Sequence, residues 1–370
     1  MKRFAFILHP ISARDLARKY AAARFLPDRL LEAIMARMSA RQISSISGLR
    51  SPVGAEAEGW FVGCTLSTRQ FIEMDERRTV PKVIEAALLA EELGAEIVGL
   101  GAFTAIVGEG GRQVADAVEI GVTTGNSYTV ATAVEGALRG AGVMGIDPAG
   151  ATAAIVGATG SIGRVCAHLL AEQVRRIVLI GRRKEALTEV AAEISGIGAA
   201  VEISLSPEET LPQAHLVITV TSALDAVIEP QMLRPGAVVC DVARPRDVSV
   251  QVAERRDDVL VIEGGAVAVP GEDITFNFNF GFPPGTAYAC MAETVILALE
   301  GRTEDYSVGK QLSVERVREI SALADRHGFT LSGFRSFERT VDDETIERIR
   351  ERAIANGASA GEPRSIDGRV

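Results

Sequence analysis

No apolar run in this 370-residue chain approaches the roughly 20 residues needed to cross a bilayer. The apolar stretch Phe4 to Leu8 behind Lys2 and Arg3 is too short for a signal-peptide core, so a cytoplasmic location is expected and no transmembrane segment. Cysteine is sparse. Cys64, Cys166, Cys240 and Cys290 lie far apart with no CxxC pair, which excludes a disulfide framework and a zinc knuckle and suits a reducing compartment; no metal site is expected. Basic excess is missing too: 39 Lys and Arg against 49 Asp and Glu leave a formal charge of -10. A footprint for neutralising phosphates is therefore absent, and a nucleic-acid partner is not expected.

What is present is the composition of a packed globular protein, 47% hydrophobic and 24% charged. The length suits two domains and a tail. Residues 3–8 read as a strand, and residues 12–37 as one or two helices with Arg14, Arg18, Lys19, Arg24 and Arg29, charges that a solvated helix face also explains. A helix is expected from Pro81 to Leu93, stopped by Gly94, and then a strand at Glu96–Leu100. The turn Thr123-Thr124-Gly125-Asn126-Ser127 precedes an Ala-rich helix to about Leu138, and the Gly-rich stretch Gly140–Gly150 is the expected boundary. The expected domains are thus an N-terminal α/β substrate domain over 1–150 and a second over 151–330 whose last helices return to the first, with a charged, partly flexible tail over 331–370.

From residue 151 strands and helices alternate, which means βαβ units, a parallel sheet and an α/β Rossmann domain. The run Gly157-Ala158-Thr159-Gly160-Ser161-Ile162-Gly163 follows an apolar strand and opens a helix. Its glycines permit a tight turn and bring backbone N–H groups to a pyrophosphate at the helix start. The spacing is GxxGxxG, a weaker fingerprint than GxGxxG, and the strand-to-helix context is what gives it weight. About 20 residues on stand Arg182 and Arg183, where an NAD-binding chain would place an acid. Two arginines suit a 2′-phosphate and hence NADPH, although a solvated loop pair would look the same. Thr221 and Ser222 are expected at the carboxyl edge of the sheet, near the ribose or nicotinamide.

Gly285-Thr286-Ala287-Tyr288-Ala289-Cys290 places a candidate N-cap at Thr286 and the Cys290 thiol about one turn into a helix. Helix N-termini favour thiolates, yet cysteine is also among the most buried residue types. Beyond this point the sequence resembles a known family. The stretches GLGAFTAIVGEGG (99–111), VTTGNSYTV (122–130), GATGSIG (157–163), AYACMAETVILALEGRTEDYSVGKQLSV (287–314) and RHGF (326–329) are similar to the cyanobacterial long-chain acyl-acyl carrier protein reductases. The likeness covers roughly residues 1–330 and is thin over the first sixty.

That resemblance implies reduction of fatty acyl thioesters to fatty aldehydes with NADPH, Cys290 attacking the thioester and holding the acyl group until a hydride reduces it. It also implies an acyl carrier protein or coenzyme A as acyl donor, and an enzyme that consumes the aldehyde. A nucleophilic thiolate that is also a good leaving group makes the two-step route chemically sensible. Donors for the oxyanion are sought in Asn126, Thr124 and Ser127, residue types that also cap helices routinely. Cys64, in FVGCTL, is the rival thiol, and His327 suits a helix end without any chemistry. For a carrier partner the basic candidates are the 12–37 helix or Arg69, Arg77, Arg78 and Lys82. FNFNFGFPP (276–284) and the segment after 330 depart from the family, while DVARPRDV (241–248) is similar to glutamyl-tRNA reductases and shikimate-type dehydrogenases. A shikimate- or quinate-type dehydrogenase of a small hydroxy acid, and a noncatalytic NADP-binding sensor, stay open beside the reductase.

Overall fold

A computed structural model describes residues 1–15, 25–223, 225–279, 281–359, 361–366 and 368, so Arg18, Lys19 and Arg24 lie outside the described residues. The chain divides into two compact units: Met1–Gly125 with Ala268–Gln311 and Ala322–Thr330, and Asn126–Val267 with Leu312–Ser321 and Leu331–Val370. The division falls at the Thr123–Ser127 turn, ahead of the Gly140–Gly150 stretch. The Ala-rich helix runs on to Val143, past Leu138, and belongs to the second unit. Its Gly140 explains why: a Cβ there would lie 2.7 Å from Val238 Cγ1, so the helix lies close on the sheet beneath it. Among the described residues no helix is long and apolar enough to cross a membrane.

In the first unit, β1 (Lys2–Leu8), β2 (Arg41–Arg50), β3 (Glu56–Gly63), β4 (Ile97–Leu100) and β5 (Gly121–Thr123) form one sheet with the edge strand Gly271–Thr275, in the order Gly271–Thr275, β2, β3, β1, β4, β5. The strands β3, β1, β4 and β5 run parallel, and β2 is antiparallel to β3. Phe4, Ala5, Phe6 and Ile7 of the central strand are all buried, the continuous apolar run of a strand covered on both faces. The helix expected from Pro81 begins five residues earlier, at Glu76. The Asp75 carboxylate accepts the Arg77 N–H at 2.8 Å, and this cap sets the start, leaving Pro81 inside the helix. Gly94 ends it with φ +88°.

The second unit holds six parallel strands: β6 (Thr152–Val156), β7 (Arg176–Ile180), β8 (Ala200–Ser204), β9 (Leu216–Thr219), β10 (Val238–Asp241) and β11 (Leu260–Glu263). Their order is β11, β10, β9, β6, β7, β8, so the winding reverses between β6 and β9 and opens a crevice beyond the carboxyl ends of those strands. The segment after residue 330 is built into this unit. It forms the strand pair Phe334–Ser336 and Arg339–Val341 and the helix Asp343–Ala355, and the Arg364 N–H donates to the Gly142 carbonyl at 3.0 Å.

Candidate functional site

The glycine loop follows β6 directly. Gly157 and Ala158 donate their N–H groups to the Ile180 carbonyl of β7 at 3.0 and 3.1 Å, which pins the start of the turn. Gly157 has φ +88°, and a Cβ on Gly163 would fall 2.3 Å from the Gly157 oxygen, so the glycine-loop helix (Ser161–Ala171) presses onto the turn. Gly160 differs. A Cβ there would meet only the Gly157 oxygen, at 3.4 Å, and as N-cap of the helix it brings no side-chain cap. The first-turn amides of Ser161, Ile162 and Gly163 thus lack a side-chain partner, which is the arrangement that receives an anion.

Arg182 and Arg183 are exposed at the end of β7, and among the described residues neither enters an ion pair. Two guanidinium groups held in reserve beside the loop fit a nucleotide phosphate. Thr221 and Ser222 follow β9, with Ser222 exposed. Thr221, however, is anchored by protein. Its hydroxyl and its N–H both donate to the Asp247 carboxylate, at 2.5 and 2.8 Å, and the Thr219 hydroxyl donates to it at 2.6 Å. Asp241 accepts N–H bonds from Ala243 and Val248 at 3.0 Å, and burial pushes its carboxyl up to about 6. Sequence reasoning missed this acidic pair; its one signal was the two acids near the two ends of DVARPRDV.

In the first unit the strand Thr286–Tyr288 leads into the cysteine helix (Ala289–Glu300). Thr286 is therefore not the N-cap: it lies within the strand, and Tyr288 takes the cap position without its side chain capping the helix. Cys290 becomes the second helical residue, inside the first turn where the backbone field favours a thiolate. Its sulfur belongs to a partly exposed residue, whereas Cys64, Cys166 and Cys240 are buried. Burial pushes the Cys64 thiol up to about 11 and the Cys166 thiol up to about 12, so both stay neutral near pH 7.

Two glycines let this helix lie close on the first unit's sheet. A Cβ on Gly99 of β4 would fall 2.0 Å from Thr294 Oγ1, and one on Gly125 would fall 2.3 Å from Cys290 Cα. Gly125 also has φ +73°, a conformation that penalises any side chain. The turn is bolted down by its neighbours. The Thr123 hydroxyl donates to Glu293 Oε1 at 2.5 Å, and the Thr124 hydroxyl donates to the Ser307 carbonyl at 2.6 Å. Thr124 thus spends its only O–H on the protein. In the second unit, Ser127 is buried, while Asn126 is partly exposed at the start of its helix and its amide makes no hydrogen bond among the described residues.

His327 is buried with both ring nitrogens engaged, by Ser51 Oγ and Glu300 Oε2, each at 2.9 Å. Among the basic candidates, Arg69 pairs with Glu32 and Lys82 with Glu85 at 2.9 Å. Arg77 and Arg78 are exposed and in no ion pair among the described residues.

The shikimate/quinate 5-dehydrogenase family model matches residues 143–263, the stretch from before β6 to the end of β11. The chain is 31% identical over 366 residues to the aminotransferase PigE of Serratia sp., covering 94% of this chain but spanning 42% of that protein. It is 29% identical over 217 residues to the glutamyl-tRNA reductase of Stutzerimonas stutzeri, across 56% of this chain and 45% of that protein. Against the long-chain acyl-[acyl-carrier-protein] reductase of Synechococcus elongatus it is 31% identical over 290 residues, 75% of this chain and 82% of the reductase. With its parallel nicotinamide-binding sheet and that kinship, the chain is an oxidoreductase and belongs to the family of the long-chain acyl-[acyl-carrier-protein] reductase.

Proposed function

We propose that this protein reduces long-chain fatty acyl thioesters, carried by acyl carrier protein or coenzyme A, to fatty aldehydes through an acyl group held on Cys290. The observation that carries the reading is the placement of that one sulfur: partly exposed and in the first turn of a helix with no side-chain cap, while the other three cysteines are buried. In this reading the Cys290 thiolate attacks the thioester carbonyl, the bond from carbonyl carbon to carrier sulfur breaks, and the departing thiolate takes up a proton. The Gly157–Gly163 turn would hold NADPH, with Arg182 and Arg183 on its 2′-phosphate, and the bound cofactor would supply the hydride for the thioacyl carbonyl. The tetrahedral oxygen is the atom that needs donors. Of the three short polar candidates, Asn126 is the one with an uncommitted amide, while the Thr124 hydroxyl is already given to the Ser307 carbonyl and Ser127 is buried. Collapse of the thiohemiacetal breaks the carbon–sulfur bond, releases the aldehyde and returns Cys290 as thiolate, with one proton consumed overall.

A second reading has support from the family model over residues 143–263: a shikimate- or quinate-type dehydrogenase, which needs no cysteine. Purified protein, NADPH and a panel of acyl thioesters, with aldehyde read by mass spectrometry, separates the two. Aldehyde from the natural chain and none from Cys290→Ala supports the reductase. Oxidation of a hydroxy acid, unaffected by Cys290→Ala, overturns it.

A further inference from the structure

The cysteine helix carries one buried acidic side chain that the reaction above does not use. Its sequence, Ala-Cys-Met-Ala-Glu-Thr-Val-Ile-Leu-Ala-Leu-Glu, is apolar from Ala289 to Leu299 but for Glu293 and Thr294 next to it, and Glu293 is 0% exposed. Burying a carboxyl group in such a helix is expensive unless its oxygens are bonded. Glu293 follows Cys290 by three residues, so both lie on one face about 5–6 Å apart at Cβ. Its Oε1 receives the Thr123 hydroxyl at 2.5 Å. Thr123 Oγ1 in turn accepts the Gly125 N–H at 3.4 Å, which leaves the hydroxyl proton for the carboxylate. Gly125 closes the ring, because its Cα faces the Cys290 backbone closely enough that a Cβ would fall 2.4 Å from the Cys290 Cβ. From the sulfur the circuit runs one turn down the helix to Glu293, across to Thr123, and back along the chain to Gly125.

Resting on the assignment of Cys290 as acyl carrier, we propose that Glu293 is a positioning residue: its carboxylate, tied to Thr123, holds the Thr123–Gly125 turn against Cys290 and sets the acidity of the thiol from one turn away. The helix N-terminus pulls the sulfur toward thiolate, and a carboxylate one turn below pulls it back. The resting thiol is thereby kept from being permanently ionised.

Other charges near the helix are engaged with partners of their own; at its last residue, Glu300 pairs with Arg326 and His327. The elements packed on the helix carry Lys2 and Arg3 in β1, Glu56 and Glu58 in β3, and Tyr288 ahead of the helix; β4 and β5 carry none. Lys2 pairs with Glu96, Arg3 with Glu58, and Glu56 with Arg50. The Lys2 stem lies beside Gly301, at the far end of the helix and about 16 Å along its axis from Cys290.

The test is the pH dependence of iodoacetamide alkylation at Cys290, read on the peptide that contains it, with kcat and KM measured on the same preparations. Glu293→Gln keeps an oxygen for Thr123 and removes the charge. The alkylation midpoint is expected to fall by about half a pH unit or more, a roughly threefold gain in thiolate. Thr123→Val removes the hydroxyl and its bond to the carboxylate, so the midpoint is expected to rise, and Thr123→Ser to restore it. Both changes lower kcat by about tenfold with KM for the thioester within twofold. A purely structural role would lower the melting temperature and the active fraction but leave the midpoint of the folded protein where it was. An unmoved midpoint in folded Glu293→Gln, or in Thr123→Val should the first variant not fold, overturns the proposal. Because alkylation needs no thioester, that failure is distinct from a failure of the reductase reading, which would show as no acylation by a normally titrating thiol.

Discussion

Two strand-to-helix turns in this protein use the same residue types for opposite ends. The Gly157–Gly163 turn after β6 leaves its helix uncapped and Gly160 open, with its first-turn amides lacking a side-chain partner. The Thr123–Ser127 turn after β5 is filled from the protein itself: Thr123 is taken by Glu293, Thr124 by Ser307, and Gly125 lies against Cys290. The first is shaped to receive a ligand, and the second to hold a neighbouring helix. Glycine therefore leaves open room in one turn and permits close backbone approach in the other.

That contrast can be broken at several points. The largest expected effect is on Cys290→Ala, where aldehyde formation should fall by about a thousandfold or more while NADPH affinity, measured by fluorescence titration, stays within twofold. Next come the glycines themselves. Gly125→Ala should destabilise the fold by about 3 kcal/mol or more in urea titration, since the new Cβ meets Cys290 at 2.3 Å with φ at +73°. Gly160→Ala should leave stability within about 0.5 kcal/mol and weaken NADPH by about tenfold. Equal losses of stability in both would erase the distinction between the turns.

Acid separates the two units with opposite signs. Burial holds His9 of the first unit down at about 4, against 6.5 in an unfolded chain. The unfolded state then takes up the proton first, so stability present above pH 6.5 is lost as pH falls toward 4, about 2 kcal/mol by pH 5. Asp241 of the second unit is raised from 3.8 to about 6, again by burial first. The folded state binds that proton first, and stability is lost as pH rises through this window; moving from pH 7 to 5 returns about 1 kcal/mol. Hydrogen exchange read peptide by peptide at the two pH values should show faster opening in the first unit and slower in the second. Replacing His9 by Phe, between Phe71 and Phe103, should flatten the first response.

Smaller effects belong to exposed charges. Replacing Arg182 and Arg183 together by Ala should weaken NADPH by about tenfold and NADH by less than twofold, in the same titration. Replacing Arg77 and Arg78 by Glu should raise KM about threefold for an acyl carrier thioester and leave that for a coenzyme A thioester alone. Equal shifts for the two carriers would remove these arginines from docking.

The difference between the turns also decides what was legible in the sequence. The glycine turn and the βαβ alternation around it could be read because each element carries its own period. The edge strand β8 was missed, because Ala200–Ser204 buries too little for a strong apolar signal. The hairpin of β2 and β3 went unread for a similar reason: Arg41–Arg50 is polar along most of its length. Pro81 misled the helix start, since the Asp75 cap outranks it, and Thr286 misled the cysteine helix start because it is held in a strand. At the cysteine site the residue types were legible through resemblance, but the reasons were not. Nothing in the spacing of Thr123 and Glu293, 170 positions apart, announces a hydrogen bond between them. Nor does the sequence reveal that the Thr124 hydroxyl is already committed, which moves the weight among the donor candidates to Asn126.

The central claim is that Cys290 carries the acyl group, and it is tested most directly by incubating the protein with a long-chain acyl thioester in the absence of NADPH and mapping the adduct by peptide mass. One acyl group on the Cys290 peptide, discharged as aldehyde when NADPH is added, is the predicted result. No adduct, or an adduct on Cys64 that Cys290→Ala leaves intact, would contradict it.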